Sequence, residues 1–339
     1  MRFTAPSSYP RTLMTRHGVL VVGGITVDVT AFSSRLPRPG ETVLGDDITL
    51  FLGGRGANQA VAAARAGAPT WMAGCVGRDS FRRIALDGLS RHGVLTTEVR
   101  TVPGRTGVAH IRVDATGEND IVFTPLANTA LTPAMVDRSI AATRGRVSVL
   151  LLQLEVRAEV TCHAAAAGAA AGLTVVLDPA PARTLPDEVW RHIGVVTPNA
   201  SEATALTGIE VDGVEAAATA GRWFLDRGVR HALVTLGAAG AVSVTPERAR
   251  HFAAFRVTPV DTTAAGEAFT GALGAALAAG LDPDAAVRHG MAAGALATTR
   301  PGASPSLPEA ADIQALLDAA RPGGRPSPSV TDRSRERVG

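Results

Sequence analysis

Apolar residues occur along the chain in short continuous runs, each followed by a glycine-containing turn and a longer alanine-rich segment. The runs that predict buried strands occupy residues 18–24, 147–154, 173–179, 193–199 and 231–237. Segments with helical periodicity occupy residues 57–66, 79–92, 157–171, 214–227 and 267–279. Buried strands that alternate with helices are typical of a mostly parallel sheet covered on both faces. The pattern therefore predicts an α/β fold.

Two regions depart from this rhythm. Residues 26–51 and 104–125 contain short alternating segments, including "TGVAHIRV" and "NDIVFT" on either side of the turn "DATGE". Alternating strands joined by a glycine-containing turn predict a hairpin with one polar face. We expect these regions to form a small β-sheet that covers the edge of the main domain.

Composition fits one large globular domain. The 339 residues are 46% hydrophobic and 19% charged, and an α/β chain of this length can form a single core. The elements place that domain at residues 18–320. We predict disorder for residues 1–17 and for residues 321–339, a tail rich in Pro, Ser, Gly and Arg.

The same counts exclude several partners and locations. The formal net charge is only +2, so we expect no nucleic-acid partner. Cys75 and Cys162 stand far apart, which predicts free thiols in a reducing cytoplasm. The alanine-rich run 164–177 is interrupted by Gly168 and Gly172, and it predicts a helix followed by a strand, with no membrane span.

A glycine-rich turn opens the stretch "GGRGANQAVAAARAGA" at residues 53–68. Gly54 and Gly56 would let a small ligand approach the backbone, and Asn58 can both donate and accept hydrogen bonds. An ordinary strand-to-helix turn would look the same. Taken alone, the motif favours that simpler interpretation.

A second turn opens "DTTAAGEAFTGAL" at residues 261–273. The small residues Ala264, Ala265 and Gly266 would let successive backbone N–H groups point into one concavity at a helix start, which suits an anion. Glu267 follows directly. It is either a catalytic carboxylate or a capping residue of the first helical turn, and the turn alone favours neither interpretation.

Three weaker signals stand at other strand ends. Asn199 and Glu202 in "TPNASE" could hold a metal-bound water cluster beside phosphates, or could simply cap a helix. The stretch "TLGAAG" at residues 235–240 would let backbone lie along a nucleotide. Glu155 ends the strand at 147–154, at the edge where open α/β sheets bind ligands.

The order and spacing of these segments resemble the ribokinase-like (PfkB) carbohydrate kinase family over roughly residues 18–320. Both of the family's signature stretches have counterparts, at residues 53–68 and 261–273. Intermediate segments are similar too, namely "PGETV", "LDPAPAR", "TPNASEA", "TLGAAGA" and "TRPGASPSLP". The resemblance implies a three-layer α/β/α fold with a small β-sheet lid. It also implies transfer of the γ-phosphoryl group of ATP to a primary hydroxyl of a pentose, with ribose the simplest acceptor.

The resemblance implies roles for individual residues. The sugar would be bound between the sheet and the lid, by Asp28, Gly54, Arg55, Asn58 and Glu155. Ala264, Ala265 and Gly266 would hold the transferring phosphoryl group, and Glu267 would act as general base. The nucleotide site would comprise Asn199, Thr235, Gly237 and Gly240.

The resemblance implies two cations as well. Glu202, together with Asn199, would organise Mg²⁺ through its bound water. A monovalent-cation loop for K⁺ would comprise Asp261, the Thr263 carbonyl, Ala297, Arg300, Gly302 and Ser306. Relatives of this family often dimerise through the lid, so a homodimer is expected here.

Four positions depart from the family pattern. The base is Glu267 where the family has Asp, and its carboxylate reaches one methylene further. Thr26 replaces an Asn, Arg55 replaces a Lys, and Arg78 replaces an acidic residue. A displacement of about 1 Å at a reacting group can cost on the order of 10²-fold in rate, so these changes bear on substrate and rate, and leave the fold unaffected.

Alternatives follow from these departures. One is a kinase for a nucleoside or another furanose, with Thr26 and Arg55 reshaping the pocket. Another is a catalytically weakened protein that binds sugar or nucleotide as a regulator. A dinucleotide-dependent dehydrogenase is disfavoured, because the first strand is not followed by GxGxxG and a helix.

Overall fold

The computed structural model describes residues 18–320, and the predicted disordered ends, residues 1–17 and 321–339, lie outside the described residues. The strands are β1 (Gly18–Val22), β2 (Thr26–Ser33), β3 (Gly45–Gly53), β4 (Thr70–Val76), β5 (Val99–Thr101), β6 (Gly107–Val113), β7 (Asn119–Thr124), β8 (Val147–Leu152), β9 (Thr174–Leu177), β10 (Val195–Val196), β11 (His231–Thr235), β12 (Ala241–Val244) and β13 (Ala249–Phe252). The α-helices are α1 (Arg55–Arg65), α2 (Phe81–Arg91), α3 (Pro133–Ala142), α4 (Ala158–Ala170), α5 (Asp187–Trp190), α6 (Ala200–Thr207), α7 (Val214–Leu225), α8 (Ala265–Ala278), α9 (Pro283–Ala297) and α10 (Ala310–Ala319). The five predicted strands and five predicted helices are all present.

The main sheet has nine strands in the order β13-β12-β11-β10-β9-β8-β1-β4-β5. From β11 to β5 all neighbouring strands are parallel, and β12 and β13 add an antiparallel edge. This is the mostly parallel sheet that the sequence predicts. The first strand, β1, lies inside the sheet between β4 and β8, where the chain order reverses.

Alternation along β1 divides the interior into two cores. Val19 and Val21 face one core, together with helices α1, α8 and α9. Leu20 and Val22 face the other, which packs against α4 and α7. Because successive side chains of a strand point to opposite faces, a strand that is apolar throughout requires helices on both sides. The three-layer α/β/α prediction is confirmed.

The lid is a second sheet of four strands in the order β3-β2-β6-β7. Strands β6 and β7 form the predicted hairpin around the turn at residues 114–118, and β2 pairs with β3 antiparallel and with β6 parallel. Only residues 23–25 separate the central strand β1 from the first lid strand β2. Asn128 clamps this connection, because its side chain accepts from the Ile25 N–H and donates to the Ile25 carbonyl, both at 2.9 Å.

Glycines end the helices as the sequence indicates. Gly67, Gly93, Gly172, Gly228 and Gly280 all follow helices and all have φ between 74° and 99°. This left-handed conformation costs glycine little, so the chain can turn sharply toward the next strand. None of the helices within residues 18–320 has the length and apolar character needed to span a bilayer.

Candidate active site

Polar side chains collect where the parallel strands of the main sheet end. Gln153 and Glu155 follow β8, Asp178 follows β9, and Asn199 follows β10. Ligands bind open α/β sheets at the carboxyl edge of the strands, near the point where strand order reverses. The structure thus brings these residues to the edge that the lid adjoins.

A tight glycine turn joins the lid strand β3 to α1. Gly54 has φ 92°, and a Cβ on it would lie 2.9 Å from the Gly24 carbonyl oxygen. A Cβ on Gly56 would lie 2.8 Å from the Gly24 nitrogen, and one on Gly24 would lie 2.2 Å from Glu155 Oε2. Glycine is therefore required here because backbone packs on backbone. This close approach sets the N-terminus of α1 directly against the predicted sugar carboxylates.

Two carboxylates of the predicted sugar site, Asp28 and Glu155, are half-buried. Burial raises the pKa of Asp28 to about 6; a hydrogen bond from Thr26 Oγ1, at 3.0 Å, opposes the rise and the charge of Glu267 adds to it. Burial raises the pKa of Glu155 to about 7; the backbone N–H and the charge of Arg55 oppose that rise, and Glu267 and Asp28 add to it. These mutual effects indicate that the carboxyl groups of Asp28, Glu155 and Glu267 lie near one another.

Helix α1 supplies the other two predicted sugar residues. The Arg55 N–H donates to Glu155 Oε2 at 2.8 Å, so the first residue of the helix holds the carboxylate at its N-terminus. Asn58 is 6% exposed, and its Oδ1 is without a hydrogen-bond partner among residues 18–320. A buried amide oxygen without a partner is costly, and a ligand hydroxyl would satisfy it.

The predicted anion turn stands at the start of α8. Ala264 has φ 60° and ψ 12°, and the α-helix begins at the next residue, Ala265, whose N–H donates weakly to the Thr262 carbonyl at 3.3 Å. A non-glycine residue in the left-handed region is strained, and such strain collects at functional sites. Gly266 lies in the first turn of α8, and the Glu267 carboxylate behind it is only 8% exposed.

Asp261 connects this turn to a second loop. Its Oδ1 accepts from both the N–H and the hydroxyl of Thr263, and its Oδ2 accepts from the Gly302 N–H at 2.8 Å. These bonds lower the pKa of Asp261 against the opposing effect of burial. One carboxylate thus joins residues 261–263 to residue 302, which brings the two halves of the predicted K⁺ loop together.

The other predicted members of the K⁺ loop offer backbone carbonyl and hydroxyl oxygens to the ion. Ala297 ends α9, and its carbonyl accepts from the Arg300 N–H at 3.4 Å. Ser306 is fully buried and donates to the Ala303 carbonyl at 2.8 Å. The Arg300 side chain turns away to Asp312, so only its backbone carbonyl can contribute. Carbonyl, hydroxyl and carboxylate oxygens are the donors that hard cations such as K⁺ prefer, and the set fits the ion.

Asn199 and Glu202 form a complete capping box at the start of α6. Glu202 N–H donates to Asn199 Oδ1 at 2.8 Å, and Asn199 N–H donates to Glu202 Oε2 at 2.9 Å. Burial raises the pKa of Glu202. Within residues 18–320 no group of three or more His, Cys, Asp or Glu side chains has metal-site geometry. A single carboxylate fits Mg²⁺, which keeps most of its water.

The predicted nucleotide residues lie beside this capping box. Thr235 ends β11, its N–H donates to the Pro198 carbonyl at 2.9 Å, and it bridges to Asn199 in parallel register. Gly237 and Gly240 follow, with φ of 56° and 98°. A Cβ on Gly240 would lie 2.0 Å from the Phe252 carbonyl oxygen, whereas one on Gly237 would meet nothing within 4 Å. Gly240 is required by packing, and Gly237 leaves open space at the strand end.

One feature of the site was not predicted from the sequence, namely a row of three buried side chains joined by hydrogen bonds. Gln153 Nε2 donates to Gln59 Oε1 at 2.5 Å, and Gln59 Nε2 donates to Asp178 Oδ2 at 2.8 Å. Asp178 is 4% exposed, and burial raises its pKa well above the usual range. Arg55 Nη1 lies 3.6 Å from Asp178 Oδ2 and 3.1 Å from Glu267 Oε1. The signal was available, because Asp178 follows a buried strand just as Glu155 does.

The site combines a strained turn at a helix start with three carboxylates, of which Asp28 belongs to the lid and Glu155 and Glu267 to the main domain. Such an arrangement suits a phosphotransferase for a small polar acceptor. The sequence profile of the pfkB family of carbohydrate kinases matches residues 16–310. The chain belongs to this family.

Similar proteins agree with that assignment. A ribokinase of Haemophilus influenzae is 38% identical over 304 residues, covering 89% of this chain and 99% of that protein. A deoxyribokinase of Salmonella typhi is 35% identical over 292 residues, covering 86% and 95%. The structure of Arabidopsis thaliana ribokinase complexed with ribose and ATP superposes with a TM-score of 0.83 at 30% identity, covering 88% of this chain and 98% of that one.

Proposed function

We propose that the chain is an ATP-dependent sugar kinase that transfers the γ-phosphoryl group of ATP to the primary hydroxyl of ribose. The observation that carries the proposal is the strained turn at Ala264, which directly precedes the buried carboxylate of Glu267 at the start of α8. The Arabidopsis relative, complexed with ribose and ATP, supports both substrates.

The reaction requires few protein groups. The sugar hydroxyl oxygen attacks the γ-phosphorus of ATP, its proton passes to Glu267, and the bond from γ-phosphorus to the β,γ-bridging oxygen breaks to release ADP. The N–H groups of Ala264, Ala265 and Gly266 stabilise charge on the transferring group, since oriented N–H donors at a helix start favour anions. Phosphoryl transfer depends mainly on such positioning and charge stabilisation.

The sugar is proposed to lie between the edge of the main sheet and the lid. Asp28 and Glu155 accept hydrogen bonds from its hydroxyls, and the backbone at Gly54 allows it to approach. Asn58 Oδ1, which lacks a partner in the described part of the chain, receives another hydroxyl. Such convergent polar groups around a neutral polyol give orientation and specificity.

ATP and the cations are proposed to occupy the neighbouring strand ends. Thr235, Gly237 and Gly240 line the nucleotide site beside Asn199, and Glu202 holds Mg²⁺ through water. The K⁺ site comprises Asp261, Thr263, Ala297, Arg300, Gly302 and Ser306. When bound, Mg²⁺ neutralises phosphate charge. Asp261 itself fixes the anion turn through its bonds to Thr263 and Gly302.

A 2-deoxypentose is the second candidate acceptor. The deoxyribokinase relative supports it, and so does the Thr26 hydroxyl, which occupies one oxygen of Asp28 at 3.0 Å. That bond leaves Asp28 less capacity to accept from sugar hydroxyls.

We further propose a cytoplasmic homodimer. Cys75 and Cys162 are free thiols, which suits the compartment where ATP is plentiful. Phe51 and Phe123 lie in one cross-strand row with Asp28 and Ala109, on the same face of the lid. Both rings are exposed, at 48% and 39%, and exposed apolar side chains on one face of a sheet favour an interaction surface. A second copy of the lid would cover them.

The test is turnover by the purified chain with ATP and Mg²⁺, with and without K⁺, on ribose, 2-deoxyribose, hexoses and nucleosides. ADP release gives the rate, and phosphorus NMR identifies the phosphorylated hydroxyl. We expect ribose 5-phosphate, and we expect Glu267→Ala to lower kcat by about 10²-fold or more. Absence of turnover on every acceptor would support a binding protein and defeat the proposal. Unchanged turnover in Glu267→Ala would remove the role given to that residue.

A further inference from the structure

Arg55 lies between two carboxylates that come from different elements. Its Nη1 is 3.1 Å from Glu267 Oε1 at the start of α8 and 3.6 Å from Asp178 Oδ2 after β9. The two acid side chains are only 11% and 6% exposed, whereas the Arg55 side chain is 32% exposed. The guanidinium therefore reaches in from the open side of the site and contacts both acids at once.

The Asp178 side of this arrangement is rigidly held. Its Oδ2 accepts from Gln59, which in turn accepts from Gln153, and all three side chains are buried. Side chains in such close-packed, hydrogen-bonded surroundings have one arrangement. Arg55 is also fixed at its backbone, because its N–H donates to Glu155. Arg55 is thus held at its backbone by Glu155, and its guanidinium lies within ion-pair distance of the buried Asp178.

Glu267 has the longer side chain of the two acids that face Arg55. It has one more rotatable bond than Asp, so holding its carboxylate in one position costs more conformational entropy. Arg55 Nη1 and Glu267 Oε1 form an ion pair at 3.1 Å, and the planar guanidinium of Arg restrains a facing carboxylate more closely than the mobile ammonium of Lys would. A contact from a fixed Arg55 therefore limits the positions that the longer carboxylate can occupy.

We propose that Arg55 is a positioning residue for Glu267, and that the two act as one unit that fixes the carboxylate against the attacking hydroxyl. The inference rests on the proposed function, in which Glu267 accepts the proton. The competing role for Arg55 is a direct contact to a phosphate of ATP. Positioning acts on kcat through Glu267, whereas a phosphate contact acts on ATP binding whatever residue stands at position 267.

The test is a double-mutant cycle with Arg55→Lys, Glu267→Asp and the double variant, with kcat and both KM values measured for each. We expect each single change to lower kcat by about tenfold or more and to leave both KM values within about threefold. Each single change already breaks the contact, so the kcat of the double variant should lie within about threefold of the kcat of Glu267→Asp.

Two results would overturn the inference. One is a double variant whose kcat is lowered by the product of the two single reductions, which would mean that Arg55 and Glu267 have independent roles. The other is a rise of about tenfold or more in KM for ATP in Arg55→Lys with kcat unchanged. A native chain without activity on any acceptor removes the proposed function and this inference together, whereas an active native chain whose single effects multiply removes this inference alone. Thermal unfolding of every variant shows whether a loss of kcat comes from misfolding.

The chain offers a matched control pair. Arg100 Nη2 lies 3.1 Å from Glu98 Oε2, and Glu98 is 8% exposed, as Glu267 is. The pair lies at β5, at the edge of the main sheet, where Glu98 also accepts from Ser139 of α3. We expect Arg100→Lys, Glu98→Asp and their double variant to leave kcat within about twofold. A loss comparable to that of the Arg55 cycle would mean that shortening any buried Arg–Glu pair impairs the enzyme, and would contradict the proposal.

Discussion

Glu155 is a half-buried acid, and its ionisation in the folded chain has a free-energy cost. It follows β8, contacts the Arg55 N–H, and has a pKa of about 7 because burial disfavours its charge. The usual glutamate pKa is 4.5. Between these two values the folded chain binds a proton that the unfolded chain releases. Stability from this group is therefore present below pH 4.5 and is lost as pH rises toward 7.

This sign gives a testable pH dependence. Glu155→Gln removes the titration, so its midpoint of thermal unfolding, relative to that of the native chain, should rise between pH 4.5 and pH 7.5. The comparison isolates one residue, since other groups titrate in both proteins. Thermal unfolding of the ligand-free proteins at four or five pH values measures it.

Glu41→Gln is the control for this prediction. Glu41 is exposed, and its hydrogen bond with Arg35 lowers its pKa to about 2. Above pH 5.5 Glu41 is charged in both the folded and the unfolded chain. The difference between the unfolding midpoints of Glu41→Gln and the native chain should therefore stay constant above that pH. A Glu155→Gln difference equally constant across the range would contradict the raised pKa of Glu155.

Single residues show how far the sequence leads. Glu155 and Glu267 could be predicted as site residues, because each stands at a strand end or helix start where ligands bind. The hydrogen-bond partner of Asp178 could not be predicted, because Gln59 is separated from it by 119 residues and from Gln153 by 94, so that the three side chains meet only in the folded chain. Asp178 itself lay in a recognised motif, but nothing local indicated that it would contact Arg55.

At the scale of secondary-structure elements, the turn between β3 and α1 predicts a loss of stability on substitution of Gly54. Gly54 has φ 92°, and a Cβ there would lie 2.9 Å from both the Gly24 carbonyl oxygen and the Thr26 nitrogen. Gly54→Ala therefore combines backbone strain with a clash against backbone that cannot move. We expect the free energy of unfolding to fall by about 3 kcal/mol or more, measured by urea denaturation.

Gly117→Ala is the matched control. Gly117 has φ 86° in the turn of the lid hairpin, and a Cβ on it would meet nothing within 4 Å. The same substitution should cost only about 1 kcal/mol there, from the left-handed conformation alone. Equal losses at both positions would mean that packing of the β3–α1 turn on Gly24 contributes nothing.

Helices and strands could be predicted where the hydrophobic pattern of neighbouring residues is long enough to show a period. The parallel strands and their helices could be read from apolar runs and helix-ending glycines, and the lid hairpin from alternation around Gly117. The antiparallel edge strands β12 and β13 are four residues each, too short for a period to stand out. Their pairing depends on the register with β11, which no local pattern encodes.

At the scale of the whole molecule, the proposed homodimer through the lid predicts the mass of the native assembly and of its variants. Ile121 is 57% exposed and pairs with Ile111, which pairs with Thr30, so it lies on the same face as Asp28. Ile121→Asp would bury a charge between two lids, which is costly. We expect the native chain to have twice the mass of one chain in light scattering, and Ile121→Asp to have the mass of one.

Val122→Asp provides the contrast. Val122 is the next residue along β7 and is 66% exposed, but it points to the opposite face because side chains alternate along a strand. This variant should keep the mass of a dimer. Dissociation by both variants would show that the assembly does not use one face of the lid, and a native monomer would end the dimer proposal.

The packing of Gly24, Gly54 and Gly56 has a consequence for engineering the enzyme. A Cβ on Gly54 or Gly56 would clash with the backbone of Gly24, and a Cβ on Gly24 would clash with the Glu155 side chain, so substitution at these positions would disturb both the turn and the site. Positions better suited to change lie on the face of the lid that carries Asp28, namely Thr26, Phe51, Ala109 and Phe123. A small library confined to these four positions, with the glycines held constant, samples new sugar acceptors while retaining a folded scaffold.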